Sequence, residues 1–385
     1  MFEKRKSSRL QSGSRNVKQL SCEAAPAVWI GGSADAQASA TDYAYQSVGT
    51  TVLFAKGIAQ AMFARAPTRT YFNGCSNGGR EAYEAAQHWP NEYSGIVAGC
   101  ESMNMAGAVT GLLATAAKVG PAQVSPSQYA DAYSRAVAAC DSADGVQDGY
   151  LENPLGCTFQ PAALQCGQPT ASSDPTLCFS AAQVSTLSSL LSDVKLSSGM
   201  TVYSRMHWTN FAPPATIPGV PALGVTSYGG LGGGFALLAT NDPGWLGAPP
   251  PSTAPAPNLA TFSVDQDYPL FFTGLQKDGA DHDKNAIASY VAGGGKLLSW
   301  HDAGDPLISP NDHLRSFSAM TDAAKTKGLA DPRANARLMF VPASTHGAVL
   351  YAGMTTLAIG RMDGKRMIAS LVDFETFSVG RTRVL

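Results

Sequence analysis

From Asp42 to Ala64 the apolar residues recur at helical spacing, at Val52, Phe54, Ala55, Ile58, Ala59 and Met62, and Pro67 closes the pattern. The short β-favouring run Thr70-Tyr71-Phe72 enters a glycine-flanked turn at 74–79, after which Arg80 to His88, rich in Ala and Glu, reads as a helix. Ser94-Gly95-Ile96-Val97-Ala98-Gly99-Cys100 is a second apolar strand, which the right-handed crossover rule sets parallel to the first. The same patterning returns late in the chain, at Lys296-Leu297-Leu298-Ser299-Trp300 and at Arg337-Leu338-Met339-Phe340-Val341, as two buried parallel strands.

Between about Ser102 and Lys284 this rhythm breaks. The stretch 211–260 carries ten of the 24 prolines and many glycines, a composition that sustains neither continuous helix nor central strand. Trp208, Phe211, Phe235, Trp245 and Phe262 argue that it is an irregular folded lid and not a linker. The first forty residues are polar and rich in small side chains, with little periodicity. The expected organisation is therefore a poorly ordered lead-in over 1–40, an α/β core formed by 41–101 and 285–385, and a lid domain over 102–284. A chain of 385 residues fits one such core with one large insertion.

Composition narrows the function classes. An apolar fraction of 44% supports a sizeable core, and a formal charge of -2 lacks the basic excess that phosphate neutralisation requires, so nucleic acid is not an expected partner. No run of about 18 apolar residues is present to span a membrane. Four of the seven cysteines, at 140, 157, 166 and 178, crowd into 39 residues without Cys-x2-Cys spacing or a nearby His, which favours disulfides over zinc. Disulfides imply an oxidising compartment, yet residues 1–20 hold six Lys/Arg and no apolar signal-peptide core. The expectation is a secreted or periplasmic protein whose signal lies upstream of Met1; a cytosolic protein with free thiols is the competing reading.

The turn carries the chemistry. In Gly74-Cys75-Ser76-Asn77-Gly78 the Gly-x-Ser-x-Gly pattern lies between a strand and a helix, the setting in which a tight elbow holds a nucleophilic hydroxyl clear of an α/β-hydrolase sheet. The amides at the following helix start point at the spot where an oxyanion would develop. A serine needs a base and the base an orienting carboxylate, in the chain order Ser, Asp/Glu, His. Of six histidines, His88, His207, His282 and His313 read as solvated or structural, whereas His346 follows a predicted strand, where the base belongs. Asp302 and Asp305 both follow the strand at 296–300, and spacing does not choose between them.

Three segments resemble the tannase and feruloyl esterase family, which includes the hydrolase of mono(2-hydroxyethyl) terephthalate. They are Tyr71-Phe72-Asn73-Gly74-Cys75-Ser76-Asn77-Gly78-Gly79-Arg80-Glu81-Ala82, Gly294-Gly295-Lys296-Leu297-Leu298-Ser299-Trp300-His301 and Asp305-Pro306-Leu307-Ile308-Ser309-Pro310. By position, the resemblance implies Asp305 as the acid, His346 as the base, Asn77 as an oxyanion N–H donor and His301 as a substrate-binding residue of the pocket. It further implies an acyl-enzyme mechanism on a small aromatic ester (feruloyl, galloyl or related), carried on plant polymer or polyphenol. Lid aromatics Trp208, Trp245, Phe271 and Phe272 are candidates for the acyl pocket.

In Asp141-Ser142-Ala143-Asp144-Gly145-Val146-Gln147-Asp148-Gly149-Tyr150, three carboxylates within eight residues repel one another unless a cation intervenes, and oxygen-only ligands suit calcium. The resemblance implies structural Ca2+ here, bound by the side chains of Asp141, Asp144 and Asp148 and the carbonyls of Val146 and Tyr150. It also implies the disulfides Cys140–Cys157 and Cys166–Cys178.

Two departures from the family stand out. The usual cysteine after the base is Gly347 here, leaving Cys75 to pair with Cys100 or to remain a buried thiol. Family members also carry roughly a hundred residues before the elbow region, including a glycine-rich loop that supplies the second oxyanion N–H; Gly31-Gly32 is the faint counterpart here, and the chain reads as N-terminally truncated. A non-catalytic or weakly active calcium-binding secreted descendant is therefore the alternative to an esterase.

Overall fold

The computed structural model describes residues 38–350 apart from 39, 102, 120–121, 146, 148, 152, 214–258, 260, 342–343 and 348. The lead-in, Gly31-Gly32, Cys22, most of the proline-rich stretch with Phe235 and Trp245, and everything after Leu350 lie outside the described residues.

Four strands form an all-parallel sheet in the order β1-β2-β5-β6: β1 is Tyr71–Cys75, β2 Gly95–Gly99, β5 Lys296–Asp302 and β6 Ala336–Val341. This is the α/β architecture that the sequence pattern predicts. The central strands β2 and β5 are buried almost throughout, whereas the flanking strands β1 and β6 are partly open. Alternation assigns their residues to two faces. Ile96, Ala98 and Leu297 pack with Val48 and Val52 of helix α1 (Ser47–Phe63), Tyr83 of α2 (Asn77–His88), Ile287 and Val291 of α7 (Lys284–Ala292) and Phe317 and Met320 of α8 (Pro310–Thr326). Val97, Leu298 and Trp300 face the other way, with Cys100 and Val341. Each large apolar side chain fully buried in this way contributes about 1.5–3 kcal/mol.

The predicted first helix is present, with a π turn over Asp42–Gln46 before α1 and a left-handed Ala64 ending it. The insertion between β2 and β5 is more regular than expected. It contains α3 (Met105–Val119), α4 (Pro126–Cys140), α5 (Ala181–Leu190), the short pair β3 (Val194–Lys195) and β4 (Thr201–Tyr203), and α6 (Val264–Asp278). The irregular character holds for 141–180, whose described residues form short 3-10 turns and one isolated bridge between Gln165 and Phe179. Ser125 and Ser180 each cap a helix through a reciprocal box with Gln128 and Gln183. The insertion has a core of its own, in which Tyr129, Tyr133, Leu164, Phe179, Leu187, Trp208 and Phe211 meet.

Three disulfides are formed: Cys140–Cys157 and Cys166–Cys178 within the insertion, and Cys75–Cys100. Among the described residues no helix is long and apolar enough to cross a membrane.

Candidate active site

The site lies at the carboxyl ends of the parallel strands, where the chain leaves the sheet and side chains can converge. Ser76 connects β1 to α2 with φ 59° and ψ -123°, a conformation L-residues rarely adopt. Close approach enforces it. A Cβ on Gly74 would lie 2.2 Å from the Gly78 carbonyl oxygen, and one on Gly79 would lie 2.2 Å from that of Gly99 in β2. Gly78 has open space around it, so Gly79 and not the motif's second glycine is the one the packing demands. The Ser76 N–H donates to the Gly99 carbonyl at 2.9 Å, and the Arg80 N–H to the Ser76 carbonyl at 3.0 Å.

The disulfide Cys75–Cys100 decides the fate of the unpartnered cysteine. It joins the ends of β1 and β2, next to the nucleophile candidate, and leaves Gly347 as a left-handed, exposed turn residue after His346.

His346 follows the short strand β7 (Ser344–Thr345), which pairs with β8 (Val349–Leu350). Its Nε2 lies 2.8 Å from Ser76 Oγ and its Nδ1 2.6 Å from Asp305 Oδ2. Asp305, on the loop after β5, is wholly buried. Its Oδ1 accepts the backbone N–H groups of Leu307 (2.8 Å) and Ile308 (3.0 Å). Burial works toward the neutral acid, but the charge on His346 and the hydrogen bonds from His301 and His346 hold the Asp305 carboxyl well below the usual carboxylate range. Conversely, burial pulls His346 down, but the Asp305 carboxylate raises it above the ordinary imidazole value, with smaller contributions from Asp302 and Glu101.

The structure thus separates the two aspartates that spacing left equivalent. Asp302 accepts the Ser344 hydroxyl at 2.6 Å and so braces the strand leading to His346, while Asp305 touches His346 itself. The Gly304 N–H donates to the Ser344 carbonyl at 2.9 Å, which ties the acid loop to the base loop.

Asn77 is the first residue of α2, where the helix supplies no carbonyl for its N–H. Its side chain is fixed by the Tyr43 hydroxyl (2.6 Å) and Arg80 Nε (3.0 Å), both donating to Oδ1. The buried Arg80 guanidinium also donates to the carbonyls of Tyr43 and Ala44 and sits over the Tyr43 ring. A Tyr43–Arg80 pairing across 37 residues leaves no local signal in the sequence.

Other expected residues have different placements. His301 is fully buried, with Nε2 within 3.3 Å of Asp305 Oδ2 and 3.1 Å of the Ile308 carbonyl and Nδ1 against His313, so no surface remains for a substrate contact. Trp208 and Phe271 are core residues, Phe272 is exposed, and Trp245 lies outside the described residues. Of the two readings the sequence left open for His207, His282 and His313, solvated or structural, burial of all three selects the structural one.

In the acidic loop, Asp141 to Asp144 form a 3-10 turn ended by left-handed Gly145, and Gly149 is left-handed as well. The Gly149 N–H donates to Asp141 Oδ2 at 3.1 Å. Val146, Asp148 and the Asp144 side chain lie outside the described residues. Among the described residues no three His, Cys, Asp or Glu side chains gather as a metal would require.

A family model described as "Tannase and feruloyl esterase" matches residues 21–219. A probable feruloyl esterase B-2 of Aspergillus terreus is 29% identical over 294 residues, covering 75% of this chain and 51% of that protein. Feruloyl esterase B of Aspergillus niger is 28% identical over 286 residues, 73% of this chain and 51% of its own. The chain therefore spans about half the length of these relatives. Among solved structures, feruloyl esterase B from Aspergillus oryzae superposes with a TM-score of 0.65 at 22% identity, covering 82% of this chain and 59% of that one. The tannin acyl hydrolase from Aspergillus niger gives 0.61 at 18% identity, covering 81% and 58%. At these identities the structural likeness speaks for the fold.

Proposed function

The chain belongs to the tannase and feruloyl esterase family, and from that membership we propose that it hydrolyses carboxylic esters of aromatic acids through an acyl-enzyme on Ser76. The observation that carries this reading is the unbroken hydrogen-bond line from Ser76 Oγ through His346 to Asp305. In it, Ser76 Oγ attacks the ester carbonyl carbon while His346 Nε2 takes the hydroxyl proton. Asp305 keeps the imidazole in the tautomer with hydrogen on Nδ1 and stabilises the imidazolium. The Asn77 N–H, at the positive end of α2, donates to the tetrahedral oxyanion. The imidazolium then protonates the leaving alcohol, and water, activated by the same nitrogen, releases the acid.

Feruloyl or galloyl esters, borne by plant polymer or polyphenol, are the proposed substrates; the names of the relatives support this class. Residues 41–101 and 285–385 would form the catalytic core and 102–284 its lid. Three disulfides fit an oxidising environment, hence a secreted or periplasmic site of action. The reading extends to a structural Ca2+ ion on Asp141, Asp144, Asp148 and the Val146 and Tyr150 carbonyls. The left-handed glycines that curl the loop and the Cys140–Cys157 bridge that closes it support that reading.

Ser76→Ala tests the mechanism. Hydrolysis of methyl ferulate, methyl gallate and p-nitrophenyl esters should be abolished in the variant, and equal rates in variant and parent would reject the nucleophile. Chelation tests the ion: the melting temperature should fall in EDTA, and an unchanged melt with no calcium in the purified protein would remove it from the proposal. Calcium binding without any turnover would support the non-catalytic descendant instead.

A further inference from the structure

Behind Asp305 lies a second line of buried polar groups that the mechanism above does not use. Asp305 Oδ2 and the Ile308 carbonyl both face His301 Nε2, and both are acceptors only, so Nε2 carries the hydrogen. His301 Nδ1 lies 2.8 Å from His313 Nδ1, a contact that admits one proton. His313 Nε2 lies 2.7 Å from the Tyr83 hydroxyl, which is 3.0 Å from Ser299 Oγ. These five side chains are fully buried, and they come from α2, β5, the acid loop and α8.

The directions of the bonds follow from chemistry. Burial holds His313 well below the ordinary imidazole range, so it is neutral. Burial keeps Tyr83 a phenol. With its own hydrogen on Nε2, His301 accepts at Nδ1 and His313 donates from Nδ1. His313 Nε2 is then bare and accepts from Tyr83, which in turn accepts from Ser299. This assignment satisfies every polar atom in the line.

We infer that His301 is a positioning residue, the last link of a buried Ser299–Tyr83–His313–His301 chain that holds Asp305 Oδ2 toward His346 and thereby sets the proton affinity of His346. The inference rests on the esterase reading of Ser76, His346 and Asp305. Asp305 divides its oxygens accordingly, Oδ1 on two backbone amides and Oδ2 on two imidazoles. Rotation of the carboxylate would break bonds on both sides. The other charged groups facing the pair are Asp302 and Glu101, which act on His346, and Arg205 beyond His207, itself held neutral by burial at about 3. None of them donates to Asp305 Oδ2.

Breaking the chain behind His301 weakens, and at the limit removes, its bond to Asp305, which becomes more basic and pulls harder on the His346 proton. The acid limb of kcat/KM therefore moves to higher pH. Removing one hydrogen bond to a charged group lowers kcat by about 10- to 100-fold, with KM nearly constant because no substrate contact is lost. The experiment uses the full chain and the variants His313→Leu, Tyr83→Phe and His313→Gln, with rates measured from pH 5 to 10. The first two should show the kcat loss and the raised acid limb. Gln, whose amide both donates and accepts, should restore kcat to within about threefold of the parent. Histidine-15N NMR of the parent should show neutral His313 with hydrogen on Nδ1 and His301 with hydrogen on Nε2. Should His313→Leu fail to fold, Tyr83→Phe and the NMR spectrum still decide. Parent-like kcat and acid limb in the folded variants, or His301 with hydrogen on Nδ1 alone, would overturn the inference. If Ser76→Ala keeps full activity, the esterase reading falls, while the tautomer measurement, needing no turnover, still tests the chain.

Discussion

Replacing Cys75 and Cys100 together by alanine removes the bridge between the ends of β1 and β2 without leaving a free thiol. The bridge closes a sequence separation of 25 residues. Loop-closure entropy then assigns it roughly 3.5 kcal/mol of stability, against roughly 3.1 and 2.8 for the other two bridges. Those two close separations of 17 and 12 residues. Stability is thus expected to fall by a similar amount for any of the three pairs, and location distinguishes them through activity. The elbow keeps its backbone anchors without the bridge, because Ser76 N–H still reaches Gly99 and Cys100 N–H donates to the Trp300 carbonyl at 3.0 Å. The contact of Gly74 with Gly78 is unaffected as well. Well below the unfolding transition, kcat should therefore stay within about threefold of the parent, a barrier change under about 1 kcal/mol. Urea unfolding followed by tryptophan fluorescence, with initial ester hydrolysis rates on the same samples, measures both quantities. A stability loss below about 1 kcal/mol would refute the entropic argument. A kcat loss of tenfold or more in a folded variant would show that the bridge, not the backbone, holds the nucleophile.

Asp305→Asn places an amide N–H2 where an oxygen now accepts donors on both sides, so kcat should fall by about four orders of magnitude. The base works when neutral, so activity rises with pH through the His346 pKa; with the carboxylate present that limb lies above the ordinary imidazole value, and in the variant the residual activity should titrate at lower pH. A limb that does not move would separate Asp305 from the base. Gly79→Ala forces a Cβ onto the Gly99 carbonyl and should cost about 1–3 kcal/mol. Gly78→Ala, in open space at a helix start, should be neutral or stabilising by up to about 1 kcal/mol. Thermal melts of the two variants check the contrast, and equal destabilisation would contradict it.

The parts of this fold legible in the sequence are those whose signal is local. The four strands of the sheet announce themselves as short apolar runs, and the elbow as a glycine-flanked serine between two of them. The helices of the insertion were obscured because α3 is rich in alanine and glycine and lacks a polar face that would mark its period. The starts of α4 and α5 carry a Ser-x-x-Gln signal, Ser125–Gln128 and Ser180–Gln183, inside a region whose proline and cysteine density otherwise spells irregularity. Spacing does not choose between Asp302 and Asp305, since both leave the same strand end; the family motif points to Asp305, and the packing of the base loop sets it against His346. His313 reads from the sequence as solvated or structural, and the structure makes it structural: its helix begins beside the acid loop and turns the side chain toward His301. Partners 200 or more residues apart, such as Tyr83 and His313, leave no trace in spacing.

The acid loop also ties the sheet to the insertion. Asn210 Nδ2 donates to the Asp305 carbonyl at 2.6 Å, and the Thr209 hydroxyl to that of Ala303 at 2.7 Å. The Ser309 N–H donates to the Tyr203 hydroxyl at 2.7 Å, and Ser309 Oγ to the Arg205 carbonyl at 2.7 Å. Four bonds thus join 203–210 of the insertion to 303–309, the segment that carries Asp305 and opens α8. The candidate acid is held from below by the sheet and its imidazoles and from above by the insertion's backbone and polar side chains. A substitution in the insertion that releases these bonds, such as Asn210→Ala, acts on the acid without touching the triad, because it leaves the Asp305 carbonyl buried and short of one donor. Through these bonds the insertion is part of what positions the candidate acid. The orientation of Asp305, and with it the strength of the base, depends on the insertion being folded.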